Sequence, residues 1–188
     1  MHRTFRPPKC SDPFPAPLAT PIDVEYVADL ALVRFKERLQ TGYGADVDYI
    51  VERDYTLEVT LDGQVDPFCI TVPAGMLTDL ASVPWFARWA VSRVGRHLEA
   101  AIVHDFLYVA RKWDDDPAER AAKRKFADQV MRAAMDKAGV NGIACFLIYV
   151  AVRAFGGFRT KPTTCKEFLD IRDPEVAARL HPLDDLVG

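Results

Sequence analysis

The sequence predicts an α+β fold: an N-terminal β-hairpin or small antiparallel sheet followed by about three packed α-helices. Three observations predict it. Apolar residues alternate with a period of two only in the first half of the chain, a helical period takes over in the second half, and turn or capping residues mark the boundaries. With 188 residues, 49% hydrophobic and 11% aromatic, the chain is long enough to bury one sizeable core.

Residues 1–22 are expected to form a Pro-rich extended arm. The opening "MHRTFRPPKCSDPFPAP" is basic but lacks the apolar stretch of a signal peptide, and six prolines precede residue 22. A leader without fixed structure and an arm draped over a partner subunit both fit this composition. A single α+β domain is expected over residues 23–160. Its first segment, Val24 to Phe35, combines strand-like alternation at Val24 and Tyr26 with the run "LALVRFKERL", which fits a strand or a short helix equally; its type stays open. From Tyr55 the alternation is cleaner. Tyr55, Leu57, Val59 and Leu61 share a face, Asp62-Gly63 supplies a turn, and Phe68, Ile70 and Val72 return on a partner strand, which makes a hairpin.

After "VPAGMLTDLASVP" a helical period runs, with a break near Gly95, to about Lys112. The charged turn "WDDDPAER" leads into a second helix from about Pro117 to Lys137, stopped by Gly139. A third helix is expected from about Asn141 to Phe155, closed by Gly156-Gly157. Its apolar run "IACFLIYVAV" extends for about ten residues, half of a bilayer span, and therefore reads as a core helix and not an anchor. Residues 161–188 form a C-terminal tail with a short helix.

Charge and cysteines exclude several function classes. Against 27 acidic residues stand 24 basic ones, a formal net charge of −3, which gives no electrostatic footprint for nucleic acid or for an anionic membrane held by charge alone. The basic run "RAAKRK" around Lys123 reads as the solvated face of the second helix, balanced by the preceding "DDD". Cys10, Cys69, Cys145 and Cys165 are far apart, with neither disulfide-framework nor zinc-site spacing, and suit free thiols in a reducing compartment.

The stretch "AAIVHDFLYVARKW" places His104 and Asp105 inside an apolar run. An unpaired buried carboxylate is costly, so such a pair is solvated, satisfied by neighbours or retained for chemistry. At 100° per residue Leu98, Ala101, Ile102, Asp105, Tyr108 and Val109 share one arc, which turns Asp105 inward and leaves His104 on the flank. In the second helix Phe126, Ala127, Val130, Met131, Ala134 and Met135 form the buried arc, with Asp128 at its edge. Antiparallel packing across the intervening turn brings Asp128 toward His104. The candidate catalytic residues are therefore His104, as a base that accepts a proton from water, and Asp128 and Tyr108, which orient its ring. An inward Asp105 is reconciled with apolar surroundings by a hard cation, for which Ca2+ is the natural candidate. Asp79 lies just before a helix start, in "TDLASVP", where it serves as a cap or as a second metal ligand. Trp85, Phe86 and Trp89 fit core packing against the hairpin, or a lipid-facing patch.

At these residues the chain resembles two known families. "HDFLY", with Asp128 twenty-four positions beyond His104, is similar to the His-Asp-x-x-Tyr helix and later Asp of calcium-dependent secretory phospholipases, especially the compact type carried in parvovirus capsids. That resemblance implies a water-activating His104, a calcium ligand in Asp105, support from Tyr108 and Asp128, and a phospholipid ester as substrate. Across about Val51 to Phe158, the blocks "VPAGMLTDLASVP", "AAIVHDFLY", "ADQVMRAAM" and "VAVRAFGGF" look like a phage and prophage family classified only as a domain of unknown function. This second resemblance implies a bacteriophage origin, with a location in the virion or the host cytoplasm. Two function classes follow: a metal-assisted esterase with a His-Asp site, and a non-catalytic virion or tail-associated protein whose Pro-rich arm contacts other phage structural proteins.

Overall fold

A computed structural model describes residues 12–40, 46–78, 96–111, 114, 116–155 and 168–181 of the chain. The first half carries strands and the second half helices, as the periodicities require. β1 (Pro21–Tyr26), β4 (Tyr55–Leu61) and β5 (Phe68–Val72) form one antiparallel sheet in the order β1-β4-β5, and β2 (Leu32–Gln40), β3 (Asp46–Val51) and β6 (Leu77–Thr78) form a second in the order β2-β3-β6. The segment left open between strand and helix is thus strand on both sides of a short turn.

The expected hairpin is β4-β5, with Leu57 opposite Ile70 and Tyr55 opposite Val72. Strict alternation along β4 buries Tyr55, Leu57, Val59 and Leu61 on one face. That face meets helices α1 (Arg96–Ala110) and α2 (Pro117–Lys137), with α1 over β5 and α2 over β1, and α3 (Gly142–Phe155) packs on α2. One apolar core runs through these layers, from Val24, Leu57 and Ile70 to Phe106, Leu107, Phe126, Val130 and Ile148.

Helix ends follow from local chemistry. Asp116 caps α2 by accepting the Ala118 N–H at 2.9 Å, and Pro117 occupies the first turn, where its missing N–H costs nothing. At the other end Gly139 has φ +77°, and the N–H groups of Gly139 and Val140 donate to the carbonyls of Asp136 and Met135, which stops the helix. Asn141 then caps α3 through the Ile143 N–H.

Both segments outside the expected domain core make packed contacts. Phe14 is buried edge-on against Phe126 at 5.8 Å between ring centroids. Lys123, expected on the solvated face of α2, is instead buried: its ammonium reaches Asp12 at 2.6 Å and Asp114 at 2.8 Å and lies over the Phe14 ring. Paired carboxylates and an aromatic face compensate the lost hydration, and the aliphatic stem covers apolar surface. At the far end of the sequence, residues 168–181, which include the one-turn α4 (Pro174–Ala177), lie across the second sheet. Leu169, Ile171, Val176 and Leu180 cover Val33, Phe35, Val47, Ile50 and Leu77. Phe168 pairs with Met76 beside β6, and Leu180 pairs with Phe35 of β2. Gly75 makes the first of these junctions: its φ is +87°, and the Leu169 carbonyl comes so close that any Cβ would collide with it.

Candidate functional site

α1 and α2 run antiparallel and bring one line of side chains from each into register. On α1 the line is His104 and Tyr108, continued by Arg111 just past the end of the helix; on α2 it is Asp128, Arg124 and Arg120, read in the opposite chain direction. Three or four residues separate neighbours, so each line lies on one side of its helix.

Asp128 is the centre of the arrangement. Its carboxylate is fully buried. Oδ1 lies 3.0 Å from His104 Nε2 and accepts the Tyr108 hydroxyl at 2.6 Å, while Oδ2 accepts an N–H of Arg153, from α3, at 3.0 Å. Burial by itself would raise the Asp128 carboxyl, but the hydrogen bonds from His104, Tyr108 and Arg153 outweigh it and hold the group below the ordinary carboxylate range. An ionised carboxylate only accepts, so Nε2 of His104 carries the proton and donates it. In the neutral ring Nδ1 is then the acceptor, and among the described residues it makes no hydrogen bond. Burial, and next the bond to Asp128, push the Tyr108 phenol above its usual value, which keeps it a donor. The His104 and Tyr108 rings pack with centroids 4.2 Å apart and planes tilted by 40°, which helps fix the imidazole plane.

A third layer holds Tyr108. Arg124 Nε donates to the Tyr108 oxygen at 3.3 Å, and the same guanidinium donates to the carbonyls of Val152 and Arg153 at the end of α3. The Arg111 guanidinium lies over the Tyr108 ring at 4.4 Å.

Of the residues singled out from sequence, the structure therefore brings together His104, Tyr108 and Asp128. Asp105 differs from its inward assignment: it is half-buried, as are Leu98, Ala101 and Tyr108, and it is engaged in an interaction. The more buried sides of α1 carry Ile102, Val103, Phe106, Leu107 and Ala110. α1 is apolar on most of its circumference, so helical phase alone left the inward direction poorly defined. Asp79, Ser82, Trp85, Phe86 and Trp89 lie outside the described residues. Among the described residues no group of three or more His, Cys, Asp or Glu side chains could hold a metal ion. Sequence reasoning missed Arg124 and Arg153; the i, i+4 spacing of Arg124 to Asp128 was a signal for the first, and nothing local marks the second.

A family model describing proteins of unknown function, DUF1353, matches residues 55–152, just over half of the chain. The chain belongs to the DUF1353 family. The match runs from β4 to the last turn of α3 and so contains His104, Tyr108, Arg124 and Asp128, while Arg153 lies one residue beyond it. β1, β2, β3 and the C-terminal cover of the second sheet fall outside the DUF1353 region. Comparison with the curated proteins and with the solved structures gave no match. No described helix is long and apolar enough to cross a membrane.

Proposed function

We propose that this member of the DUF1353 family is a bacteriophage-derived hydrolase that cleaves ester bonds, phospholipid esters first among them, with His104 as general base. One observation carries the reading: His104 Nε2 is held at 3.0 Å by a buried carboxylate that Tyr108 and Arg153 in turn fix. A base needs a defined tautomer and ring plane, and this arrangement supplies both while leaving Nδ1 to act. Nδ1 takes a proton from water as the water oxygen bonds to the ester carbonyl carbon. The Asp128 carboxylate stabilises the imidazolium that forms, and the proton passes to the departing alkoxide as its C–O bond breaks.

The phage origin, and a location in the virion or host cytoplasm, are supported by the sequence blocks from "VPAGMLTDLASVP" to "VAVRAFGGF". Calcium takes six to eight oxygen ligands. The described residues offer Asp105 alone among the expected ones, so they do not compose a calcium shell, and the proton chemistry stands on His104 and Asp128.

A second reading has its own support. Asp128 receives donors from α1 and α3 while it sits on α2, which makes it a knot joining these helices, and a virion component needs no more than that. One experiment separates the two. Wild type and His104→Gln are incubated with phospholipid vesicles, with calcium and with chelator, and fatty-acid release is followed. The hydrolase reading expects release by wild type and a loss of roughly 10²–10⁴-fold in a folded His104→Gln. A folded wild type that is inactive on every headgroup tested, with or without calcium, overturns it. The structural reading then expects His104→Gln to lower stability by about 1–3 kcal/mol.

A further inference from the structure

On a different side of α2 from the His104 seam lies a cavity of about 490 Å³, within the roughly 300–1,000 Å³ typical of small-molecule sites. Gln129, Arg132, Ala133 and Asp136, spaced as one side of a helix, form its α2 wall; Pro21, Ile22 and Asp23 at the start of β1 form the second; Tyr149 of α3 forms the third. These walls are pinned to one another. Tyr26, further along β1, donates its hydroxyl to the Ala134 carbonyl at 2.6 Å, and Lys137 reaches from α2 to Asp23 at 3.3 Å and to Glu25 at 2.7 Å. A gap held in this way exists before any ligand arrives, which lowers the ordering cost of binding.

The fold does not use up the polar groups of the lining. Gln129 and Tyr149 are half-buried, and neither side chain makes a hydrogen bond among the described residues. The Arg132 guanidinium lies 5.5 Å from the centroid of the Tyr149 ring, a contact that engages no hydrogen-bond acceptor, and it forms no ion pair among the described residues. Asp136 likewise pairs with no cation there; its neighbour is the Cys145 thiol, pushed up to about 12 by burial and then by its hydrogen bond to Asp136, and a thiol is a weak donor. Arg132 and Asp136 stand four residues apart yet do not pair with each other, in keeping with the order base before acid, the weaker one at that spacing. Lys137, by contrast, is matched by its two carboxylates.

The lining is therefore balanced in charge, Arg132 and Lys137 against Asp23 and Asp136, with one charge of each sign left over about 5–6 Å apart on α2. A net anion would meet two carboxylates and a net cation two bases; a zwitterion meets one free partner at each end. The planar N–H fork of Arg132 suits a carboxylate, and the Gln129 amide beside it can add a donor. Asp136 accepts N–H groups, so the cation is a primary ammonium; a quaternary one calls for an aromatic cage, and Tyr149 is the one aromatic ring among the described lining residues. Pro21, Ile22 and Ala133 offer apolar surface for the rest of the molecule, Ile22 being 60% exposed without a ligand. We infer that this cavity binds a small zwitterion, an apolar α-amino acid, with its carboxylate on Arg132 and its ammonium on Asp136. The inference goes beyond the hydrolase reading and does not depend on it.

The test measures binding by calorimetry on the full-length chain. Wild type is titrated with leucine, with isocaproate, which lacks the ammonium, and with isoamylamine, which lacks the carboxylate. Leucine should bind, and each single-charge analogue should bind at least roughly tenfold more weakly, the loss of one charge-assisted hydrogen-bonding group. Arg132→Gln and Asp136→Asn, both at exposed helix positions and checked for folding by circular dichroism, should each weaken leucine by a similar factor, whereas His104→Gln should bind it as wild type does. No saturable binding of leucine up to about 10 mM overturns the site. An analogue that binds as tightly as leucine, or leucine binding unchanged in either folded cavity variant, overturns the zwitterion assignment, and loss of binding in His104→Gln would move the ligand to the seam. The analogue titrations use wild type alone, so they decide the question even if a variant fails to fold.

Discussion

Asp128 turns a local hydrogen-bond pattern into a dependence on pH. Its folded carboxyl titrates below the unfolded value of about 3.9, so between the two the unfolded chain binds more protons and stability rises with pH. The contribution is complete above roughly pH 5 and is lost as pH falls through the folded value. Asp128→Asn removes the titrating group and, with it, about 3 kcal/mol near pH 6. Urea unfolding of both proteins between pH 6 and about pH 3 should show the gap narrowing as acid is added; a constant gap would mean that the carboxylate is not held charged by its donors. Tyr108→Phe removes one of those donors and should cost about 1 kcal/mol. At this scale much was legible. Helical phase put His104, Tyr108 and Asp128 on facing edges, because antiparallel neighbours joined by a short turn leave few other arrangements. Arg153 was not legible, since its approach depends on how α3 lies on α2, which no local pattern encodes.

Glycines show how one element is joined to another. Gly63 and Gly75 both have positive φ, yet a Cβ at Gly63 would meet nothing within 4 Å, whereas at Gly75 it would strike the Leu169 backbone. Gly63→Ala should therefore cost about 1 kcal/mol from conformation alone. Gly75→Ala adds the displacement of the 168–181 segment and should cost about 2 kcal/mol more. Hydrogen exchange discriminates further: the Leu169 amide, bonded to the Gly75 carbonyl at 2.9 Å, should lose protection in Gly75→Ala and keep it in Gly63→Ala. The elements themselves were readable wherever their ends carry chemistry, as at Asp116-Pro117 and Gly139. The run "LALVRFKERL" was ambiguous because its apolar spacing fits both periods; β3 decides it by pairing with β2. Lys123 was misread because a cationic run on an amphipathic helix has a surface appearance until its partners, Asp114 just before the helix and Asp12 far away in sequence, are placed.

The whole molecule depends on segments remote in sequence from the elements they cover. The sequence predicted strands before helices in one α+β unit, and that order holds; it did not predict two separate sheets, because which strands pair is set by long-range contacts. Phe14 shows the reach of this dependence. Phe14→Ala should lower stability by about 3 kcal/mol, the cost of emptying an aromatic core position, and thermal unfolding would reveal a change near zero if the N-terminal segment were a mere leader. At the opposite end, the apolar face of β2-β3-β6 is complete once residue 78 is made, yet its cover comes from residues 168–181. A ribosome adding about 5–20 residues per second takes several seconds to make the intervening stretch. Throughout that interval Val33, Phe35 and Ile50 of the nascent chain have no lid of their own, so vectorial synthesis leaves this apolar face uncovered until residues 168–181 emerge.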